Sequence, residues 1–370
     1  MGRLIVFSII LFLFSCSGEK SNPIATVNSP DFIGKADTLK NQYAEAFRII
    51  EHESSTEIQI LNTQKKEVEF RYTIGESADE NSVEIMSELN RVVALSATHI
   101  GMLEELDLLE KIVGISDDKY LCSSKLKDRI KDGSLKSIGD IGMTDIEGYI
   151  DVNPDIVIYS GFDTKAPILK KLHSAGIKTF TNYDWKETHP LGRAEWLKVF
   201  GVLFNKRERA EKLFKSIETT YLNLVEEVAE YSSKEIVLVG TLYGDVFNAP
   251  AGGSYMAKIL EDANIKYKYN ETKGTGSISL TLEEVISDNR ETGIWLNVAA
   301  QSKDKVLEMN NRFRLLRSLQ ENEVYSYYHE VNCFWEQSAI RPHLLLQDIC
   351  KIAYPNEFKS KTFYFYNRLN

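Results

Sequence analysis

The hydrophobic and polar positions of this chain follow two different periods, one after the other. Residues 47–50, 57–61 and 68–74 alternate apolar and polar side chains with period two, which predicts a small antiparallel β appendage. From Arg91 onward, short apolar runs alternate with amphipathic helical segments. Alternation of this kind predicts mainly parallel sheets that carry helices on both faces. We therefore expect an α/β fold with a small N-terminal β appendage.

One sequence unit occurs twice. Residues 141–162 read IGMTDIEGYIDVNPDIVIYSGF, and residues 279–301 read SLTLEEVISDNRETGIWLNVAAQ. Each copy opens with a Thr or Asp that can cap a helix, continues as a short amphipathic helix and ends in an apolar run typical of a buried parallel strand. Each also has a glutamate in its first helical turn, Glu147 in one copy and Glu283 in the other. The duplication predicts two αβ lobes of similar build.

The stretch between the two copies is helical throughout. It runs from residue 191 to residue 230 with an interruption near Asn205, and its apolar residues recur at three- and four-residue steps. A helix over residues 206–230 would be roughly 37 Å long at about 1.5 Å per residue, enough to join two lobes as a single long helix. The predicted boundaries are a signal peptide at 1–15, a lipid-tethered linker at 16–45, the β appendage at 46–88, an N-terminal αβ lobe at 89–188, linking helices at 189–231 and a C-terminal αβ lobe at 232–370.

The N-terminus indicates the compartment. A short basic start is followed by an apolar run over residues 4–14, which is too short to span a bilayer and matches a signal-peptide core. Ser15 and Cys16 then resemble a bacterial lipoprotein cleavage site, with Cys16 as the lipid anchor. The alternative is an ordinary secretion signal with an incidental cysteine. We expect attachment on the periplasmic side of a bacterial membrane.

Charge and cysteine content narrow the function classes. The formal net charge of −10, without a basic run, argues against nucleic-acid binding. Beyond Cys16 the cysteines are Cys122, Cys333 and Cys350, which allow at most one disulfide and fit no zinc pattern. Cys333 and Cys350 could pair, or all three could be buried structural thiols. The six histidines show no paired spacing, so we expect no direct metal ligand and no cofactor.

With its elements in this order, the chain resembles the substrate-binding proteins of ABC importers for iron–siderophore complexes, haem and vitamin B12. The resemblance covers residues 91–354 and depends on RVVALSATHIGMLEELDLLEKIVGIS, IGDIGMTDIEGYIDVNPDIVIYSG, the long helix, SLTLEEVI and FWEQSAIRPHLLLQDIC. It implies two lobes joined by one long helix, a ligand between them and small lobe motions. It leaves the β appendage unassigned.

The resemblance also implies a docking role for the duplicated glutamates. In that family each lobe has a surface Glu that pairs with arginines of the membrane permease, and these positions fall on Glu147 and Glu283. The alternative role for both glutamates is helix capping, because a carboxylate in the first turn of a helix gains about 0.3–1 kcal/mol from the helix dipole. Glu284 competes with Glu283 for the second docking position.

Candidate ligand contacts follow from topology, because small molecules bind beyond the carboxyl ends of parallel strands. The candidate residues are rich in aromatic side chains, which suits a large flat chelate or macrocycle. Arg341 is the candidate charge partner for an anionic ligand, whereas Arg193 is better explained by a structural pairing with Glu187 or Glu195. The candidate ligand-binding residues are Thr98, His99, Tyr120, Tyr159, Phe162, Trp185, Tyr243, Phe247, Trp335 and Arg341.

These features predict a monomeric binding protein that captures an iron complex, either a ferric siderophore or haem, and delivers it to an ABC permease with its ATPase subunits. The same role for cobalamin or another corrinoid is the alternative ligand class. An exported α/β enzyme is the rival function, but the sequence has no nucleophile-elbow motif, no metal-ligating His-Glu pattern and no phosphate loop. A binding protein that serves a sensor or surface receptor is the third possibility.

Overall fold

A computed structural model describes residues 37–39, 41–76, 81–141, 146–231, 233, 235–327 and 333–370. Residues 32–370 belong to one compact unit. The predicted signal peptide, the predicted anchor Cys16 and most of the predicted tether lie outside the described residues. Within the described part of the chain, no helix has the length and apolar character needed to cross a membrane.

The N-terminal β appendage is a five-stranded sheet in the order β1-β2-β3-β4-β5. Neighbouring strands are antiparallel except β4 and β5, which are parallel. Its inward-facing residues, among them Phe47, Ile58 and Tyr72, share one hydrophobic core with the first lobe. The sheet is therefore packed into the first lobe and is not a separate body. The strands are β1 Asp37–Leu39, β2 Phe47–Glu51, β3 Ser55–Asn62, β4 Glu67–Gly75 and β5 Val83–Ile85.

The first lobe contains a parallel sheet in the order β10-β9-β6-β7-β8. Strands β6, β7 and β9 are buried along their whole length, which explains their continuous apolar sequences. The strands are β6 Val92–Ala94, β7 Ile112–Ile115, β8 Lys136–Ser137, β9 Ile156–Tyr159 and β10 Lys178–Thr181. The helices are α1 Ala97–Glu105, α2 Ser124–Lys131, α3 Ile146–Val152 and α4 Pro167–Ser174, with short 3-10 turns at Leu109–Lys111, Asp118–Tyr120 and Asp184–Lys186.

Three helices then link the lobes: α5 Pro190–Glu195, α6 Leu197–Leu203 and α7 Arg207–Val228. The predicted interruption is present, because Asn205 has the left-handed φ of 53° that ends α6. Ala210 lies in the core of the first lobe, whereas Phe214 lies in the core of the second. The 22-residue helix α7 therefore crosses between lobes in its first turns, and its remainder packs along the second lobe.

The second lobe contains a sheet in the order β14-β11-β16-β17-β18, parallel except for β18. A separate antiparallel sheet has the order β12-β13-β15. The strands are β11 Ile236–Val239, β12 Thr241–Tyr243, β13 Val246–Pro250, β14 Lys266–Tyr267, β15 Ser277–Leu280, β16 Ile294–Val298, β17 Val324–Ser326 and β18 Asn367–Arg368. The helices are α8 Tyr255–Asp262, α9 Leu282–Asn289, α10 Lys303–Met309 and α11 Arg317–Gln320, with a 3-10 helix at Asn311–Leu315.

The repeated sequence unit folds as a repeated structural unit. Helix α3 leads into β9 in the first lobe, and α9 leads into β16 in the second. Thr281 caps α9 in a capping box, in which Glu284 N donates to Thr281 Oγ1 at 3.2 Å and Thr281 N donates to Glu284 Oε2 at 2.7 Å. The mixed α/β fold predicted from the sequence pattern is confirmed.

The chain crosses between the lobes again near its C-terminus, through α12 Phe334–Gln337, before α13 Pro342–Ala353 packs on α7. A disulfide joins Cys333 at the start of this crossing to Cys122 in the first lobe. The suggested pairing of Cys333 with Cys350 is therefore wrong. Cys350 is a free thiol, and burial raises its pKa to about 12.

Candidate ligand-binding cleft and docking surface

The carboxyl edges of the two sheets come together at Arg193, in α5. Its Nη2 donates to Asp184 Oδ2 at 2.9 Å, just after β10, and its guanidinium carbon lies 4.3 Å from the ring centroid of Tyr255, the first residue of α8. Helices of a parallel αβ unit begin at the carboxyl edge, so this contact places both edges on one crevice. The Arg193 side chain is only 9% exposed. Its role is structural, but its partner is Asp184, and the predicted pairing with Glu187 or Glu195 is wrong.

Two aromatic side chains, one exposed and one half-buried, follow the neighbouring strands β9 and β10. The Phe162 ring lies 4.5 Å from the Trp185 ring at an interplanar angle of 30°. Phe162 is 76% exposed, the highest exposure among the large hydrophobic side chains of the described residues. Trp185 is held in place because its Nε1 donates to Ser160 O at 2.6 Å. We call Phe162 and Trp185 the aromatic platform; its geometry suits stacking against a flat ligand.

Tyr183 and Lys186 support this platform. The Lys186 ammonium lies 3.1 Å from the ring centroid of Tyr183. Gly161 has a φ of 61°, and an added Cβ there would collide with the Tyr183 ring, so the loop that carries Phe162 needs a glycine at this position. The N-terminal sheet also reaches this place: burial and the nearby Glu69 carboxylate raise the pKa of Tyr183.

Several other candidates from the first lobe lie beneath the surface. Tyr159 is 3% exposed, and its hydroxyl accepts from Thr181 Oγ1 at 2.9 Å. His99 is fully buried, 6.1 Å from the Phe200 ring, and burial lowers its pKa to about 4. Thr98 is half-buried, with its hydroxyl 3.0 Å from Ser96 Oγ. Tyr159 and His99 thus leave almost no surface for a ligand in this state.

The second lobe exposes aromatic residues at two places. Tyr243 is 59% exposed and pairs across the β12–β13 hairpin with Val246, and this hairpin directly follows the carboxyl end of β11. Trp335 is 37% exposed and lies edge-on to Tyr327, with ring centroids 5.4 Å apart. Phe247, in contrast, is fully buried and packs against Trp295 at 6.1 Å. Tyr243 and Trp335 are therefore the candidates in this lobe whose side chains are accessible to a ligand.

The predicted charge partner, Arg341, is occupied by another residue. Its Nε donates to Glu105 Oε1 at 2.7 Å, and the Glu105 side chain is 16% exposed. An anionic ligand would have to compete with this carboxylate. Tyr120 ends the 3-10 turn after β7, and its side chain lies outside the described part of the structure.

The described residues support neither a bare-metal site nor a ligand site in the cavity beside α7. Among the described residues, no group of three or more His, Cys, Asp or Glu side chains is placed to hold a metal ion. A cavity of about 180 Å³ lies where α6 and α7 face the N-terminal sheet, and its lining includes Lys198, Arg207 and Lys215. It is smaller than the roughly 300–1,000 Å³ of usual ligand sites. Each of these three cations is paired at 2.7 Å with a carboxylate: Glu195, Glu51 and Glu218 respectively.

The duplicated glutamates lie on exposed helix surfaces. Glu147 is exposed in the first turn of α3, where Ile150 is also 55% exposed. Glu283 is 65% exposed in α9 and pairs with Arg312, which holds its pKa below the usual range. Glu284 is occupied by the capping box with Thr281. Both neighbours are exposed; Glu284 caps its own helix, whereas the Glu283 carboxylate is held by Arg312.

A comparison with protein families decides the assignment. The family model described as periplasmic binding protein matches residues 92–330. This chain belongs to the periplasmic binding protein family. The matched range begins after the N-terminal sheet, as the sequence resemblance did.

Several known proteins are similar to this periplasmic binding protein in sequence or in fold. An uncharacterized lipoprotein of Methanocaldococcus jannaschii is 23% identical over 306 residues, which cover 80% of this chain and 72% of the relative. A periplasmic haem-binding protein from Pseudomonas aeruginosa has a similar structure, with a TM-score of 0.61 at 15% identity, covering 76% of this chain and 98% of that one. The periplasmic vitamin B12-binding protein of Vibrio cholerae gives a TM-score of 0.55 at 12% identity, covering 74% and 99%. At these identities the structural similarity shows the fold alone.

Sequence reasoning missed one buried polar cluster of this periplasmic binding protein. Glu187 Oε1 accepts from Ala46 N at 3.0 Å and from Trp196 Nε1 at 2.9 Å. Glu195 Oε2 accepts from the backbone N–H groups of Tyr43 and Ala44, both at 2.9 Å. Both glutamates are fully buried, so α5 and the residues just before it hold the segment that leads into β2 of the N-terminal sheet. The available signal was a glutamate on each side of the short helix α5, Glu187 three residues before it and Glu195 at its end.

Proposed function

We propose that this periplasmic binding protein captures a flat or macrocyclic metal chelate between its lobes and delivers it to the permease of an ABC importer. The observation that carries the proposal is the aromatic platform of Phe162 and Trp185 at the carboxyl edge of the first-lobe sheet. An exposed ring beside a fixed indole at such an edge offers an apolar surface on which a flat ligand can stack. Tyr243 and Trp335 would supply apolar contacts from the second lobe.

The charge balance of the crevice bears on the class of chelate. Arg193 and Arg341 are engaged by Asp184 and Glu105, which leaves Lys186 as the cation beside the platform. A strongly anionic tris-catecholate complex would need several free cations. We therefore propose an iron complex of low charge, a ferric hydroxamate siderophore or haem, with a corrinoid as the alternative. The haem- and vitamin B12-binding proteins of the same fold support this choice.

We further propose that the protein is anchored through a lipid on Cys16 and works as a monomer on the periplasmic side of a bacterial membrane. The N-terminal signal pattern and the lipoprotein names of its relatives support the anchor. Glu147 and Glu283 would contact arginines of the permease, one on each lobe, because an outward-facing carboxylate can bind a guanidinium with two hydrogen bonds. Hydrolysis of ATP would occur on other subunits.

The colour of the isolated protein tests the ligand class. Full-length protein is purified from cells grown with a ferric hydroxamate siderophore, with haem or with cyanocobalamin, and its visible absorption spectrum is recorded. The proposal predicts that one of the three leaves its characteristic absorption with the protein at one chelate per chain. Protein that is colourless under all three conditions would contradict it.

A further inference from the structure

The second crossing between the lobes is short and anchored at both ends. Phe334 belongs to the hydrophobic core of the second lobe, and Ile340 belongs to the core of the first. The chain therefore passes from one core to the other within a few residues. We call residues 333–341 the strap. It is separate from the linking helices α5–α7, so within the described residues a second stretch of chain also joins the lobes.

The strap lies tightly on helix α1 of the first lobe. Helix α12 packs directly against α1. At the point of closest approach, a Cβ added to Gly101 would collide with the carbonyl group of Glu336. Glycine at position 101 is therefore what lets the two helix backbones approach so closely. A contact of this kind does not form if the strap shifts along or away from α1.

A buried carboxylate fixes the strap to the segment before α2. Glu336 is fully buried, and its Oε1 accepts a hydrogen bond from the backbone N–H of Cys122. Glu104 and Lys127 are the charged groups near it, and burial raises its pKa to about 7. A buried carboxylate is costly to leave without its hydrogen-bond donors. Separating the strap from the first lobe would remove the donor at Cys122.

A disulfide and an ion pair attach the two ends of the strap to the first lobe. Cys333 forms a disulfide with Cys122, with a Cα–Cα distance of 5.3 Å across a sequence separation of 211 residues. At the other end, Arg341 donates through Nε to Glu105 Oε1, at the last residue of α1, at 2.7 Å. The strap is thus bound at its start, middle and end to a lobe other than the one from which it emerges.

We propose that the Cys122–Cys333 disulfide locks the strap to the first lobe and thereby limits how far the two lobes separate. Lobes joined only through helices can hinge at the helix ends. A second, covalently closed connection removes much of that freedom, because both paths must deform together. Under the proposed function, the lock slows release of the bound chelate, so release depends on the redox state of this cysteine pair.

Reduction supplies the test of the lock. A dithiol such as dithiothreitol attacks one sulfur as a thiolate, breaks the Cys122–Cys333 bond and closes on itself as a cyclic disulfide. Two electrons and two protons pass to the protein, which leaves both cysteines as thiols, while the dithiol is oxidised. Hydrogen–deuterium exchange of full-length protein is measured before and after this treatment. The Cys122→Ser/Cys333→Ser variant, treated in the same way, is the control for other effects of the reductant.

The lock predicts that reduction raises the exchange rates of amides in the strap and α1 by about tenfold or more, while β16 in the second lobe is unaffected. The double serine variant should exchange like the reduced protein, with or without dithiol. Identical profiles of oxidised and reduced wild-type protein would overturn the proposal, as would peptide mapping that finds Cys122 and Cys333 as free thiols. If the double variant does not fold, reduction of the wild-type protein still decides. This readout needs no ligand, so it can fail or succeed independently of the proposed function; where a chelate binds, its dissociation should be several-fold faster after reduction.

Discussion

The hydroxyl of Tyr72, in the N-terminal sheet, accepts a hydrogen bond from the backbone N–H of Thr181 with an N···O distance of 3.0 Å. Thr181 is the last residue of β10, the edge strand of the first-lobe sheet, and both residues are buried. The N-terminal sheet therefore supports the strand from which the loop with Trp185 emerges. We propose that this sheet, which lies outside the family match, is an integral part of the first lobe.

Replacement of Tyr72 tests this integration. Tyr72→Phe removes the acceptor of the Thr181 N–H, and a buried donor without a partner costs about 1–3 kcal/mol of unfolding free energy. Urea denaturation of full-length protein measures the change. Tyr364→Phe, at a tyrosine that is 47% exposed, is the control and should have almost no effect. Equal stability of the two variants would mean that the N-terminal sheet does not depend on this contact.

Removal of the aromatic platform should weaken chelate binding. Phe162→Ala deletes a ring that is 76% exposed in the free protein, so folding stability should hardly change. Loss of a stacking contact of about 1.5 kcal/mol corresponds to roughly tenfold weaker affinity. Quenching of tryptophan fluorescence measures the dissociation constant. Leu222→Ala, at an exposed apolar residue of α7, should bind like the wild type; if Phe162→Ala also does, the platform is not the contact surface.

The duplicated glutamates should matter for uptake and not for ligand affinity. Glu147→Gln/Glu283→Gln removes both carboxylates. In the free protein Glu283 is paired with Arg312, so a permease arginine would have to displace Arg312 to bind it. Uptake of chelate by cells that depend on this protein is expected to be lost. Asp151→Asn/Asp288→Asn makes the same charge change on the same two helices, α3 and α9, and should leave uptake intact. Unimpaired uptake by the glutamate variant would refute the docking assignment.

The buried Glu336 should make stability depend on pH. Its pKa is raised from 4.5 to about 7, so between these values the folded state binds more protons than the unfolded state. Stability supplied by the protonated group is present below about pH 4.5 and is lost as the pH rises toward 7, by up to about 1.4 kcal/mol per pH unit. Glu336→Gln should make the slope shallower, because the raised pKa values of Glu187 and Asp348 remain, whereas Glu84→Gln, at an exposed position, should leave the slope as in the wild type. Urea midpoints measured from pH 4.5 to 7.5 check the difference between the variants.

Local patterns in the sequence predicted the secondary structure and the duplicated unit well. The helix-then-strand order of α3–β9 and α9–β16, and the break at Asn205 before α7, depend on residues close in sequence, and the structure confirms them. The α/β class follows from the same patterns. Such features are predictable because their periodicity is set by the geometry of one helix or strand.

Contacts between distant segments were the part that the sequence did not reveal. Arg341 was expected to be free for a ligand, but its partner Glu105 lies 236 residues earlier. The disulfide partner of Cys333 is separated from it by 211 residues. The donors to Glu187 and Glu195 are mainly backbone N–H groups, which nearly every residue has and no side-chain pattern marks. Tertiary packing alone selects these partners.

The most direct test of the central claim is an equilibrium titration of full-length, ligand-free protein. A ferric hydroxamate siderophore, haem and cyanocobalamin are added separately, and binding is followed by calorimetry together with tryptophan fluorescence. The account predicts saturable binding of one of these chelates at one molecule per chain, with weaker binding to Phe162→Ala. Absence of saturable binding for all three, with folded protein confirmed by circular dichroism, would contradict it.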